Sequence, residues 1–517
     1  MNDYTDKDHH EDLKVLHGMG YAQELSRSMS KFSNFAISFS IICILSGGIN
    51  SFAQAIGSVG GAGAGIGWIT GCIVSGMFAL SMAQIASAFP TAGGLYHWGS
   101  ILGNRFWGWL TAWLNLLGLI TVLGAINIGT AYFFTGTFGS YFSFAGTDWQ
   151  IVGFVAAITI VQAIFNHVGI KVTTFLTDIS GWIIFATTAV LVVACLYYAP
   201  AIDISRLWTF KNYSGEAGGN VFPQSDNMAY LFLLSLLLPV YTITGYDASA
   251  HTSEETKNAA HSVPRGIVSS VFWSSIVGWI MISAIMLAIP DMDAAAAQGW
   301  GVFFGTMDAV LPAGLKAVIY LFILIAQFLC GLATVTSASR MLFAFSRDGG
   351  MPVGSKALAT VSRTYRTPVN AIWTATALCI LYVVLALTIK VGETSIYVVV
   401  VNSTLVFLFL SFTIPLVAGM FAYGGPKWPK PGPWAMSEGL YKLVTVLSVI
   451  GMAVILFIAV APPNERVLWV VLGFLALAMV LWLAVENRRF EGPPTGEKIA
   501  ARKAAIAAAE AAVGEKA

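Results

Sequence analysis

The residues best suited to handling a small charged molecule sit in two patches that interrupt apolar sequence, Ser46-Gly47-Gly48-Ile49-Asn50 and Thr244-Gly245-Tyr246-Asp247. A helix that breaks inside a bilayer leaves backbone N–H and C=O groups unpaired. Such groups persist there only where they line a protein-enclosed cavity or hold a ligand. A half-helix restarting after Gly47-Gly48 presents free N–H groups and the positive end of its dipole, which suits a carboxylate. The structural alternative for these glycines is close packing of one helix on another. Asp247 sharpens the second patch, because a carboxylate within an apolar span costs roughly 2.5–3.5 kcal/mol on insertion scales. It could hold a proton, pair with a cation or receive a substrate ammonium; capping the half-helix that follows is the alternative. Paired breaks at matching places in two halves of a membrane protein point to a transporter's substrate site.

The chain that positions these patches is made for lipid. Of its 517 residues, 57% are hydrophobic and 10% charged, with a mean hydropathy of +0.75, whereas a soluble domain carries about 25% charge. No Asp, Glu, Lys or Arg occurs from Phe32 to Asn104, room for two spans of about 20 residues. The Gly- and Ala-rich stretch at 57–67 is the expected turn between them. Uncharged runs at 106–147, 149–170, 179–202, 227–246, 266–290, 317–339, 367–389, 394–426, 443–464 and 467–485 bring the total to twelve. The breaks fall in spans one and six, each followed by four largely unbroken spans. Because five is odd, the second set must insert upside down. The predicted fold is an all-α polytopic membrane protein with 12 transmembrane helices: a 5+5 inverted repeat with discontinuous helices 1 and 6, plus helices 11–12. The expected division is a cytoplasmic N-terminal segment (1–32), two five-helix repeats (33–200 and 226–422), helices 11–12 (441–486) and a cytoplasmic tail (487–517).

Charge sets the orientation. With the N-terminus inside, 21 Lys and Arg fall on cytoplasmic segments against five outside: Arg206, Lys211, Lys316, Lys390 and Arg466. The positive-inside rule then predicts cytoplasmic N- and C-termini in a cell (plasma or inner) membrane. Residues 11–31 read as an amphipathic lead-in helix, and the Ala-rich tail from Glu497 as marginally ordered. No cleavable signal peptide is expected, since the first apolar run is too long for one. Cys43, Cys72, Cys195, Cys330 and Cys379 all lie in apolar runs and predict free thiols. Asn212-Tyr213-Ser214 is a sequon in an external loop.

Several chemistries are disfavoured. A net charge of +1 gives no argument for nucleic acid. His251 and Glu254 have a metal-like spacing but lie at a cytoplasmic span end with no third ligand, so no metal and no cofactor are expected. The glycines at 57–67 follow no strand and lack a Walker lysine, which rejects phosphate cradling. Asn127, Gln327, Asn402 and Thr404 could shape a pocket, though such residues more often link helices. Asp178 could pair with Lys171 or Arg347 as an inner gate, or simply start a solvated helix.

Further motifs carry a resemblance. Gly245-Tyr246-Asp247, Glu254-Glu255-Thr256-Lys257-Asn258 and Val263-Pro264-Arg265-Gly266-Ile267 resemble the sixth-span signature of the amino acid–polyamine–organocation superfamily. Phe89-Pro90-Thr91-Ala92-Gly93-Gly94-Leu95-Tyr96, Ser339-Arg340-Met341 and Ala344-Phe345-Ser346-Arg347-Asp348-Gly349 resemble its other motifs. Leu25-Ser26-Arg27-Ser28-Met29-Ser30 and Phe32-Ser33-Asn34-Phe35-Ala36 are most similar to the GABA, choline and amino acid permease branch. The matches spread from about residue 20 to 480. The resemblance implies a substrate carboxylate on the amides of Gly47, Gly48 and Ile49, beside Ser46. It implies an amino group on the carbonyls of Ile243 and Thr244, at Gly245. An aromatic gate falls on Tyr241, a pH-sensing acid on Asp247 and a ligand-facing polar residue near Asn115. Many family members carry a span-five Lys thought to stand in for sodium; that place falls near Ile184, and the run 179–202 has no Lys. The coupling ion is then a proton at Asp247, or sodium between spans one and eight with Thr334 and Ser337 supplying hydroxyls.

The expected function is secondary transport of a small amino acid or GABA-like zwitterion by alternating access, ion coupled or exchanging. One alternative is a choline or organic-cation transporter of the same fold, with Tyr241 and Tyr246 in an aromatic cage. A channel or passive pore would want a continuous polar stripe or charged rings. A membrane enzyme would want clustered catalytic groups, and only His167 lies in or beside a span interior.

Overall fold

A computed structural model describes residues 4–388 and 396–514. Lys390, counted above among the external cations, lies outside the described residues. Among the described residues, eleven helices are long and apolar enough to cross a bilayer. They are span one (Lys31–Asn50), two (Gly63–Ala88), three (Arg105–Phe142), four (Asp148–Val168), five (Ile170–Tyr198) and seven (Ala259–Ala288). Spans eight (Ala313–Arg347), nine (Val369–Thr388), ten (Val399–Ala422), eleven (Glu438–Val460) and twelve (Glu465–Arg489) complete them. The twelfth crossing is span six. It reaches that status only in pieces, Met228–Ser235, Leu237–Thr242 and Ala248–His251, because its middle is not helical.

Packing relates the two sets of five spans to each other as an inverted repeat does. Span two lies on span seven, three on eight, and four on nine; span five packs on one, seven and eight, and span ten repeats this on six, two and three. Spans one and six meet at the centre. The five cysteines are free.

Three features differ from the sequence expectation, and a fourth adds to it. The segment 57–67 is only partly a turn. Helix runs to Val59, the chain reverses at Gly60 (φ +69°), and Gly63–Gly67 is a π-helical start to span two. The loop after span five holds it there, with the Ala62 N–H on Thr209 O (3.2 Å). The N-terminal helix is Asp6–Gly18, not 11–31, and residues 21–30 are an extended strap. Its Asp12 carboxylate accepts the N–H groups of Asn258 (2.7 Å) and Ala259 (3.0 Å), capping span seven where the helix dipole favours negative charge. The C-terminal tail is docked rather than loose. Its helix Lys503–Val513 buries Glu510, whose Oε1 accepts the Gln23 N–H at 2.8 Å and lies 2.7 Å from His17 Nε2. An Ala-rich composition hides one buried polar anchor of this kind. Lastly, the sequon asparagine is engaged: Asn212 Nδ2 donates to Ser225 O (2.6 Å) and its Oδ1 accepts from buried Ser214.

Candidate functional site

The break in span one lies three residues ahead of its expected place. Lys31–Ile42 ends at Cys43, whose φ of +27° turns the chain, and helix resumes over Ile44–Asn50. The N–H groups of Ser46 (2.7 Å) and Gly47 (3.1 Å) both go to Cys43 O. Ser46, Gly47, Gly48 and Ile49 therefore lie within helix, and the Gly47 amide is occupied. Ile44 and Leu45, first in the resumed helix, have no upstream carbonyl in it. Sequence reading took the glycines as the point of unwinding; the structure uses them for approach. A Cβ on Gly47 would stand 2.9 Å from Thr242 Cα, and one on Gly48 3.2 Å from Met281 Cε. Span eight caps the carbonyls around the break: the Cys330 thiol donates to Ile41 O (3.2 Å) and Gln327 Nε2 to Leu45 O (3.3 Å).

The break in span six falls where the sequence puts it. Helix ends at Thr242, Ile243 has φ −90° and ψ 59°, and helical bonding restarts with Ala248 N–H on Gly245 O (3.2 Å). Among the described residues, no hydrogen bond reaches the carbonyls of Ile243 or Thr244. Gly245 adopts φ +89°, and a Cβ there would stand 2.2 Å from Ile41 Cγ2. The two breaks thus seat each other reciprocally, Gly47 against Thr242 and Gly245 against Ile41. Below them, Ser38 Oγ donates to Tyr246 O (2.9 Å) and Asn34 Nδ2 to Ser249 O (3.0 Å), joining the first half of span one to the second half of span six.

Asp247 is fully buried and makes no side-chain cap. Its Oδ2 instead accepts from Asn115 Nδ2 of span three (3.1 Å), which also donates to Ser411 Oγ of span ten (3.3 Å). His251 Nε2 lies 3.3 Å from the same oxygen, and His251 Nδ1 lies 3.2 Å from Ala92 O. Asp247 Oδ1 has no partner among the described residues. His251 was set aside on sequence as lying at a span end. The signal that could have found it is its i,i+4 spacing from Asp247, which puts both on one helix face. His167, the histidine singled out on sequence, accepts only a surface bond from Trp373 Nε1 (3.1 Å).

Glu254 does not pair with His251. Its oxygens take Arg347 (2.8 and 3.0 Å) and the Ala92 N–H (3.0 Å). Burial works to raise its pKa, but the Arg347 guanidinium prevails and holds the carboxyl below its ordinary value. Glu255 pairs bidentately with Arg340 of span eight (2.9 Å at both contacts), all fully buried. Asp348 accepts from Tyr21 (2.6 Å) and Tyr96 (3.0 Å), and burial pushes its carboxyl up. These contacts seal the face that carries both termini.

Other candidates are spread around the breaks. Thr334 Oγ1 bonds back to Cys330 O of its own helix (2.9 Å), while Ser337 Oγ has no partner among the described residues. Tyr241, in the last helical turn before the span-six break, is buried. Asn127 links spans three and four through Thr159 and Gln162, and Thr404 bonds Val400 O. Asp178 takes Ser33 Oγ (3.0 Å) rather than Lys171 or Arg347. On the face opposite the termini, a cavity of about 290 Å³ reaches the flank of span one at Ile49 and Asn50, walled by Tyr132, Phe133, Trp300 and Phe303.

Two mutually seated broken helices, with free carbonyls and a buried acid at one of them, are a transporter's arrangement, and comparison with known sequences agrees. Residues 29–485 match the profile of the family described as Amino acid permease. The chain belongs to that family. It is 31% identical over 510 residues to the amino-acid permease BAT1 of Arabidopsis thaliana, covering 92% of this chain and 95% of that one. A BAT1 homolog of Oryza sativa is 30% identical over 507 residues, covering 93% and 95%. The GABA-specific permease of Saccharomyces cerevisiae is 32% identical over 383 residues, covering 70% and 64%. This permease therefore sits in the amino acid–polyamine–organocation superfamily, as a transporter and not an enzyme.

Proposed function

We propose that this permease carries a small amino acid or GABA-like zwitterion between the breaks of spans one and six by alternating access. The observation that carries the reading is the pair of unbonded carbonyls at Ile243 and Thr244, one and two residues before Gly245 and beside buried Asp247. They offer acceptors to an ammonium. The substrate carboxylate belongs on the amides that open the resumed half of span one, at Ile44 and Leu45, since those of Ser46 and Gly47 are bonded to Cys43 O and Gly48 and Ile49 lie within the helix. Tyr241 and Asn115 flank this space from spans six and three. The names of the plant and yeast relatives favour amino acids and GABA. The excess of Lys and Arg on the terminal side supports cytoplasmic termini, in a cell (plasma or inner) membrane.

Coupling to an ion belongs to the proposal. A sodium site between spans one and eight would want the Ile41 carbonyl and the Thr334 and Ser337 hydroxyls. The Cys330 thiol already donates to that carbonyl, and Thr334 is bonded to its own helix. That favours a proton at Asp247. A second reading, choline or another organic cation, draws support from the aromatic wall of the outer cavity, since aromatic faces hold quaternary ammonium groups.

The test is purified protein in liposomes, with counterflow of a labelled panel of amino acids, GABA and choline, and with pH and sodium varied separately. Saturable counterflow of a zwitterion supports the reading. Choline counterflow without any zwitterion would select the second, and non-saturable flux of the whole panel would mean a pore.

A further inference from the structure

The environment of His251 fixes more than its position. Ala92 O is a carbonyl and only accepts, so the nitrogen 3.2 Å from it, Nδ1, carries a hydrogen. A neutral imidazole with Nδ1–H has a bare acceptor at Nε2. That acceptor faces Asp247 Oδ2 at 3.3 Å, with both side chains fully buried. Nε2 makes no hydrogen bond to Oδ2 in this conformation, and two bare acceptors this close in a buried site carry a cost that a proton on either one would relieve. Among the described residues no other charge competes for it, and His97, just past the loop that covers His251, is kept neutral by burial. Span eight contributes Arg340 and Arg347, already matched to Glu255 and Glu254. The inward faces of spans one and seven offer only neutral groups, Asn34, Ser38 and Ser270 among them, while Lys31 and Arg265 are exposed. Asn115, Ser411 and the Tyr246 phenol complete the polar surroundings.

We infer that Asp247 and His251 hold the coupling proton jointly, and that His251 is its relay toward the cytoplasmic face. The inference rests on the transport reading above and deepens it. A substrate ammonium at the free Asp247 Oδ1 favours the anionic carboxylate and drives the proton from Oδ2 to Nε2. The imidazole then holds it on Nε2, 3.3 Å from Oδ2, on a residue one helical turn nearer the terminal face. When that face opens, Nε2–H gives the proton to water, while Nδ1–H stays on Ala92 O and keeps the tautomer. No bond other than O–H and N–H forms or breaks. Asn115 is a positioning residue: its amide holds Oδ2 toward His251.

The experiment uses the full chain in liposomes with a substrate found by counterflow. One proton carried per substrate molecule gives about tenfold accumulation per pH unit of inward gradient. His251→Asn and His251→Gln remove the titrating nitrogen; the asparagine amide can still donate to Ala92 O. Each variant is read as accumulation driven by the gradient relative to its own counterflow rate, which corrects for poorly folded protein. The expected result is about tenfold for the wild type and near onefold for both variants, with the pH profile flattened. Wild-type accumulation in either variant overturns the relay. Wild-type counterflow that ignores the gradient overturns proton coupling yet leaves the substrate reading in place. No counterflow by the wild type with any compound removes the transport reading, and the relay with it.

Discussion

Gly245 tests whether the two broken spans are held against each other as described. Gly245→Ala meets two independent penalties. Its φ of +89° is left-handed backbone, where a Cβ costs about 1–2 kcal/mol. The new carbon would also lie 2.2 Å from Ile41 Cγ2 and 3.0 Å from Ile41 Cβ, and overpacking of this kind costs about 1–3 kcal/mol. The sum, roughly 2–5 kcal/mol, is a large part of a typical total stability of about 5–15 kcal/mol. The two parts separate in a double-mutant cycle. Ile41→Ala removes Cγ2 and so relieves much of the clash, but it cannot relieve the backbone. The double variant should therefore be more stable than the sum of the singles by about 1–3 kcal/mol, with the dihedral part remaining. The assay is reversible unfolding of the purified variants in mixed micelles, with liposome counterflow alongside. Additive losses would mean that Gly245 and Ile41 do not touch, and the mutual seating of the breaks would be wrong.

Other outcomes follow from the same contacts. Gly48→Leu drives a side chain into Met281 and Ile282, and Asp247→Asn removes the buried acid; both should cut uptake at least tenfold at normal membrane expression, checked by uptake per molecule on a blot. Glu255→Gln leaves the Arg340 guanidinium buried without its counter-charge, a loss of about 3–5 kcal/mol that should appear as a lower unfolding midpoint. For Glu254 the sign is set by its depressed carboxyl. Its pairing with Arg347 contributes stability above the ordinary value of 4.5, and this is lost as pH falls through the lower folded value. Proteolysis of the N-terminal strap should then rise in acid, and Glu254→Gln should show at pH 7 the cleavage that the wild type shows only in acid.

Much of this architecture was readable from charge and hydropathy alone, because lipid forbids uncompensated polar backbone and so marks each span plainly. Span six was legible to the residue: Gly245 beside an intramembrane acid admits few other readings. Span one was not. Gly47 and Gly48 carry the same sequence signature whether they unwind a helix or admit a neighbour, and here Thr242 and Met281 occupy the missing side chains' space. The turn belongs to Cys43, a residue type that gives no hint of positive φ. His251 was missed because a place at a span end, with no third metal ligand in sequence, gives no hint of burial. Only the fold of Phe89–Leu95 over it, with Ala92 O on its ring, shows burial. The docked tail was missed for a similar reason: a composition rich in alanine says nothing about what one Glu510 finds across the fold.

That docking ties the order of synthesis to the working state. His17 and Glu510 are 493 positions apart, and at roughly 5–20 residues per second the ribosome needs about 25–100 s to pass from one to the other. During that interval the first buckle of the clasp waits in water for the second. A nascent chain already threaded through the bilayer thus lacks the fastened cover on its terminal face until the helix that carries Glu510 is released, so termination before that helix would leave the cover unlatched.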